Sequence, residues 1–447
     1  MVEPLAPGLT AEVEVVGEPR PAVLASPLAV ADCATAAVAT CLSAAADLAR
    51  VRTGRRPHVV LDTAHVAAAV RSEAWLRDPA GRGVSGFAPL SRLWPAADGW
   101  VRTHANYPWH RAALLAALGV GDGTDDEVAS RLAGAIAGRP AREVEDTVYA
   151  AGGLAVAART VPVVAPPLVD MARLRDGARL RDGARTLPPL GSGGLPAHGV
   201  RVLDLTRVIA GPVGTRMLAA LGAQVLRVDD PHRPELPGQD VEGVLGKAST
   251  LLDARTPAGH EILHRLLDGA DVLVTGYRPG ALRRLRLDPD QVAADHPGTT
   301  VVTLSAWGTA GEWGTRRGFD SLVQIATGIG WATSPDGTRP GVLPCQLLDH
   351  ATGYLLAAGV LAALARRAQT GETTHLALSL AGTARWLLDQ GTVPGGDAGT
   401  GGDAGDYRTP LGNGWSAISP PGRLDGYPLA WPHLPPAYGQ APPTWEA

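Results

Sequence analysis

Two aspartates, Asp32 and Asp349, each stand at the opening of a long alanine- and leucine-rich run. A carboxylate on the first turn of a helix is held in place, and the helix dipole favours its charged form. The same position also suits an ordinary helix cap, worth about 1 kcal/mol. The two aspartates belong to an internal repeat: residues 31–69 align without a gap on 348–386, with 12 identities in 39 positions. Matched alanines say little, but Asp32/Asp349, Thr35/Thr352, Thr53/Thr370, Gly54/Gly371 and His58/His375 all fall at one offset. Each copy reads as a helix, a Thr-Gly stop and a short strand. Another residue stands out for its rarity. Lys247 is the only lysine among 40 Lys and Arg. Lysine is a compact ammonium where arginine is a planar fork, so a lone lysine marks a contact that wants the former, or is a chance survivor of arginine bias.

The elements that position these residues are legible around the second copy. Residues 197–390 alternate near-continuous Val/Leu strands (200–205, 223–230, 271–277, 299–307) with helices over 211–221, 257–267 and near 279–293. That alternation predicts a parallel sheet covered on both faces. Ligands of such sheets sit at the carboxyl ends of the strands, near helix N-termini. The loop TRVIAGPVG after the first strand suits a phosphate or pantetheine arm by geometry. Only Gly211 and Gly214 are present there, so the dinucleotide spacing GxGxxG is missing. Asp229 and Asp230 end the second strand, where a ribose-binding acid would sit, which keeps an NAD-dependent enzyme as an alternative.

The chain divides into an N-terminal segment with the partial repeat (1–72), a small α/β domain (73–165), a linker (166–196), the Rossmann-like domain (197–390) and a Gly/Pro-rich C-terminal segment (391–447). In the small domain, Asp98-Gly99 predicts a hairpin turn and 108–118 an amphipathic helix. Two short duplications, RLRDGA at 173–178 and 179–184 and GGDAG at 395–399 and 401–405, mark flexible stretches rather than sites.

Composition excludes several classes. A net charge of -4 gives no electrostatic footprint for nucleic acid or an anionic membrane. Three cysteines without a CxxC indicate neither a disulfide frame nor a zinc site. The first residues lack a basic stretch followed by an apolar run, and the apolar stretch Tyr354–Ala365 is too short to span a bilayer. The expectation is a cytoplasmic protein.

Five ordered blocks carry a family resemblance. GVRVLDLTRVIAGPVGTRMLAALGAQVLRVDDP (199–231), GKASTLLDARTPAGHEILHRLLDGADVLVTGYRPGALRRLRL (246–287), GFDSLVQIATGIG (318–330), LPCQLLDHATGYLLAAGVLAAL (343–364) and TGETTHLALSL (370–380) resemble the family III CoA-transferases of the formyl-CoA and carnitine-CoA type. The resemblance implies that family's fold, a Rossmann-like open parallel sheet with a small α/β domain. It implies CoA transfer from an acyl-CoA to a carboxylic acid through an aspartyl-CoA intermediate on Asp349. CoA is then a substrate, with no permanently bound cofactor, and the assembly is a homodimer. It places Val208, Ile209 and Ala210 along the CoA arm, Tyr277 near the adenine, Arg284 and Arg317 on the phosphates and Lys247 at a basic position of the CoA groove.

The chain also departs from the family. A fragment of the helix–strand unit and a small domain precede the α/β domain, as in a permuted or partly duplicated member. Asp32 has too little chain before it to carry the chemistry and reads as a relic cap. The glycine-rich lid of some members has no counterpart by position, so Trp94, His104, Asn106 and His110 are expected to cover the site. Phe319 stands where the family's racemases carry a histidine, which argues against racemisation. A CoA-ester binding homologue without turnover is the remaining alternative.

Overall fold

The computed structural model describes residues 12–18, 22–84, 86–173, 187–191, 194–393, 404–432 and 437–445. Most of the RLRDGA duplication and most of the GGDAG repeat lie outside them. The N-terminal segment forms β1 (Glu14–Val16) and then, in the first repeat copy, α1 (Val30–Thr53), β2 (Val59–Asp62) and α2 (Thr63–Ala69), followed by the short α3 (Ser72–Trp75). Gly54 ends α1 at φ 78°, returning its N–H to Arg50, and Asp62 caps α2 through the Ala64 N–H. These are the local signals that glycine and aspartate supply at helix ends.

A small layered unit comes next. The hairpin β3 (Leu93–Ala96) and β4 (Gly99–Thr103) turns at Ala97-Asp98 and is followed by α4 (Pro108–Leu118), α5 (Asp125–Ala137) and α6 (Ala141–Ala150). Strand β5 (Ala155–Ala157) completes a three-stranded antiparallel sheet. Its core packs Val101, Leu114, Leu132 and Val144.

The Val/Leu runs become a seven-stranded sheet. Along the chain it contains β6 (Val169–Arg173), β7 (Arg201–Leu205), α7 (Ala210–Ala220), β8 (Gln224–Asp229), α8 (Gln239–Glu242), β9 (Ala248–Leu251), α9 (Pro257–Asp268), β10 (Val272–Thr275), α10 (Pro289–Asp295), β11 (Thr300–Ser305), α11 (Asp320–Ala326) and α12 (Ile329–Ala332). The second repeat copy closes it with α13 (Leu347–Thr370), β12 (Thr374–Ser379) and α14 (Leu380–Asp389). Strand order is β6-β12-β11-β10-β7-β8-β9, parallel throughout except for β6. The order reverses between β7 and β10, so the loops after those two strands flank the crevice where such sheets bind ligands. The helix expected near 279–293 resolves into a 3-10 turn and α10, because Pro279-Gly280 and Asp288-Pro289 interrupt it.

The repeat is structural as well as sequential. Helices α1 and α13 are both 24 residues long, and Gly371 ends α13 at φ 75° with its N–H on Arg367, as Gly54 does on Arg50. The two helices pack against each other through alanine and leucine faces in one core. Each is apolar and long enough to cross a membrane, but both are buried within the fold. The C-terminal segment is more than a tail. It forms β13 (Arg408–Pro410), β14 (Ser416–Ile418), β15 (Arg423–Leu424) and β16 (Tyr427–Pro428), and β15 pairs antiparallel with β2.

Candidate active site

Helices α7 and α13 cross at the two positions that hold glycine. A Cβ on Gly214 would sit 2.6 Å from the Gly353 carbonyl oxygen, and one on Gly353 would sit 2.5 Å from that of Ala210. Only glycine permits so close an approach. The crossing sets the first turn of α13, and with it Asp349, beside the loop after β7.

That loop is fixed from below and above. Below, the buried Asp204 carboxylate accepts from the Thr206 N–H (2.9 Å), the Thr215 hydroxyl (2.6 Å) and the Lys247 ammonium (3.0 Å). Above, Glu235 accepts from the Val208 N–H (3.1 Å), the Tyr107 hydroxyl (2.6 Å) and Arg227 (2.8 Å). The two guanidinium neighbours, Arg227 and Arg207, hold the Glu235 carboxyl down at about 2 against its burial. Val208 itself has φ 67°. A β-branched residue in the left-handed region is strained, and such strain is kept only where surrounding contacts over-determine it.

Asp349 is 7% exposed and borders two cavities. The first, about 290 Å³, runs along the strand ends and is rich in arginine: Arg207, Arg233, Arg278, Arg316 and Arg317. Val208, Ile209, Ala210 and Tyr277 also line it. The second, about 450 Å³, lies on the side of the N-terminal segment and includes Glu73, Phe87, His104, Asn106, Asp320 and Gln346. Val208, Ile209 and Phe319 form walls of both.

The electrostatics around Asp349 are those of crowded acids. Burial raises its pKa well above the usual carboxylate range, and the neighbouring Asp320 and Glu73 raise it further. Asp320 accepts from the Asp349 N–H (3.0 Å) and from the Gln324 amide, and burial lifts it to about 6. Glu73 is paired with His350 at 2.8 Å. Among the described residues, nothing hydrogen-bonds the Asp349 carboxylate itself. His104 stacks face to face on Phe319 at 3.9 Å, and burial keeps it uncharged near neutral pH. His110 borders the arginine-rich cavity and falls to about 4, chiefly through burial.

The structure therefore brings Asp349, Val208, Ile209, Ala210, Tyr277 and Arg317 together, along with His104, Asn106 and His110. It sets five others apart. Lys247 does not reach the groove: it is 1% exposed, and its ammonium is spent on Asp204, Thr215 (2.7 Å) and the Pro212 carbonyl (3.2 Å). The turn 246–247 leads directly into β9, which carries the side chain inward beneath α7. Arg284 is exposed on the 3-10 turn Arg283–Leu285 and does not line the groove. Trp94 lies in the small-domain core, donating to the Thr103 hydroxyl at 2.8 Å. Asp32 sits on the first turn of α1 and lines neither cavity. Asp229 is held by two bonds from Arg227 (2.8 and 3.0 Å), which removes it as a ribose acceptor.

Sequence reasoning missed Glu73, Asp320, Arg207 and Arg278. Asp320 lay inside a block already singled out, GFDSLVQ, and Arg207 inside TRVIAGPVG. Glu73 had no local signal, because its partner is 277 residues away.

Sheet order, strand-end crevice and glycine-crossed helices define an open, doubly wound α/β ligand-binding fold. Residues 198–414 match the family model for CoA-transferase family III. It is similar to the probable fatty acyl-CoA transferase of Mycobacterium tuberculosis, 34% identical over 196 residues, covering 41% of this chain and 50% of that protein. It is also similar to the (R)-2-hydroxy-4-methylpentanoate CoA-transferase of Clostridioides difficile, 31% identical over 212 residues, covering 44% and 53%. The acetyl-CoA:oxalate CoA-transferase of Acetobacter aceti is 30% identical over 197 residues, covering 41% and 51%. The chain spans about half the length of these relatives. A CaiB/BaiF family protein from Brucella suis, solved as a crystal structure, aligns at 27% identity with a TM-score of 0.40, over 44% of this chain and 56% of that one.

Proposed function

We propose that this protein exchanges CoA between an acyl-CoA thioester and a free carboxylic acid, with Asp349 as the covalent carrier. The observation that carries the reading is the place of Asp349: a carboxylate with no hydrogen-bond partner among the described residues, between an arginine-rich groove and a second cavity. In the scheme, a carboxylate oxygen of Asp349 attacks the thioester carbon. The C–S bond breaks, CoA leaves as its thiolate and a mixed anhydride remains. The thiolate then attacks the Asp349 carbonyl carbon, and its C–O bond to the acyl group breaks. The original acid departs and Asp349 is left as a CoA thioester. An incoming carboxylate reverses these steps, with CoA regained by the new acid. Splitting one exchange into such steps is what a covalent nucleophile contributes.

The crowding of acids favours this chemistry. An ionised Asp349 faces Asp320 and Glu73 in a buried place, and acylation converts it to a neutral group. The repulsion present in the free enzyme is relieved in the intermediate. The groove arginines suit phosphates, and CoA enters and leaves as a substrate.

Incubation with an acyl-CoA and no acceptor should add the mass of CoA less water to the chain, on the peptide that contains Asp349. Hydroxylamine should remove it. A binding protein without turnover would retain the ester and show no adduct, and that result would end the transfer reading.

The assembly belongs to the same proposal. A homodimer is the expected state, supported by the family resemblance. Because α1 of the same chain already covers α13, the second copy would dock elsewhere. A single species of one-chain mass in light scattering at micromolar concentration would remove the dimer.

A further inference from the structure

The second cavity has walls that the family match does not reach. Glu73, Val84, Phe87, Ala88, His104 and Asn106 all precede residue 198. Among the described residues, the charged side chains that line it are Glu73, Asp320 and Asp349, all acidic. No lysine or arginine is among them, whereas five arginines line the groove on the other side. The guanidinium behind this wall, Arg102, is packed 4.7 Å from the centroid of the Phe87 ring and does not line the cavity. Glu73 is fixed by its pairing with His350, a side chain wholly buried beside Asp349. The remaining surface combines apolar side chains, Val84, Phe87, Ile209 and Phe319, with uncharged polar ones, Asn106, Gln239, Ser321 and Gln346.

We propose that this cavity holds the acyl chain during transfer, and that it selects chains bearing no second carboxylate. The substrates are then CoA esters of short monocarboxylic acids, and dicarboxylic acids are poor donors and acceptors. This rests on Asp349 being the CoA carrier. The argument is one of uncompensated charge. A distal carboxylate would enter a partly dehydrated space between Glu73 and Asp320 with no cation to meet it, and like charges placed together in such a site cost binding. A neutral chain meets Val84, Phe87, Ile209 and Phe319 without charge repulsion and loses only water. About 450 Å³ leaves room for a chain of several carbons.

Butyryl-CoA and succinyl-CoA carry four-carbon acyl groups that differ in the second carboxylate, so they isolate the charge. The whole chain is mixed with each ester, and the CoA adduct on Asp349 is timed by intact mass. In each case the Asp349 oxygen displaces CoA thiolate, which then displaces butyrate or succinate. Loading from butyryl-CoA should be about tenfold faster or more. Glu73→Gln should narrow that ratio several-fold by raising the succinyl rate, whereas mere structural damage would lower both rates together. Equal or faster loading from succinyl-CoA in the wild-type chain overturns the selectivity while leaving the carrier role of Asp349 standing. No adduct from either ester overturns the carrier role, and this proposal with it.

Discussion

Asp349→Ala should lower CoA exchange about a thousandfold or more, the loss typical of removing a covalent nucleophile, with the fold intact by circular dichroism. Asp32→Ala should leave the rate within about threefold, although the two residues occupy matching positions in the repeat. The difference lies in what stands in front of each. Asp349 faces the Val208 loop and two cavities, and Asp32 lines neither. Loss of activity in the Asp32 variant with retention in the Asp349 variant would reverse the assignment. The pH dependence follows from the same surroundings. Asp349 attacks only when ionised, and burial with Asp320 and Glu73 keeps its proton on above the ordinary carboxylate range. Activity should therefore fall as pH falls, with the acid limb above pH 4. Asp320 shares that titration, being itself raised to about 6. Asp320→Asn removes one like charge and should move the limb downward, and an unmoved limb would show that Asp320 does not govern the titration.

Lys247→Met should destabilise the fold by about 3–5 kcal/mol, because it leaves the Asp204 carboxylate buried without its cation. Asp204 has no exposure, and its remaining partners are the neutral Thr206 and Thr215. Burial draws the Lys247 ammonium down to about 8 even with Asp204 pulling the other way, so the pair is held at some cost and depends on both members. The double variant Lys247→Met with Asp204→Asn should recover much of the loss, since no charge is then stranded. Urea denaturation read by fluorescence measures both. Wild-type stability together with a raised KM for CoA esters would instead restore Lys247 to the groove. Turnover should also suffer in the single variant, because Asp204 anchors the first residue of the loop that carries Val208.

The sequence was most informative where local chemistry repeats. Buried parallel strands such as β7, β8 and β11 show as Val/Leu runs, and α4 and α9 show by their period, their first-turn prolines and, for α9, its threonine cap. The position of Asp349 at a helix start was legible for the same reason. What could not be read was direction and distance. A lone lysine looks the same in sequence whether it meets solvent or a buried aspartate. The pair Glu73–His350 joins residues that no local pattern connects. The C-terminal strands are two or three residues long, too short to show an alternation. Arg284 carried the right charge, but the Pro279-Gly280 turn and the 3-10 geometry place it outside the groove.

The pairing of α1 with α13 has a further effect. Two helices of this kind on separate molecules would meet in a second-order equilibrium and separate on dilution. Joined by the intervening chain, they meet at an effective concentration that the tether fixes, whatever the amount of protein in solution. The first turn that bears Asp349 is then braced as firmly at nanomolar as at micromolar concentration. Specific activity should not fall through loss of this contact, even if copies of the chain come apart elsewhere.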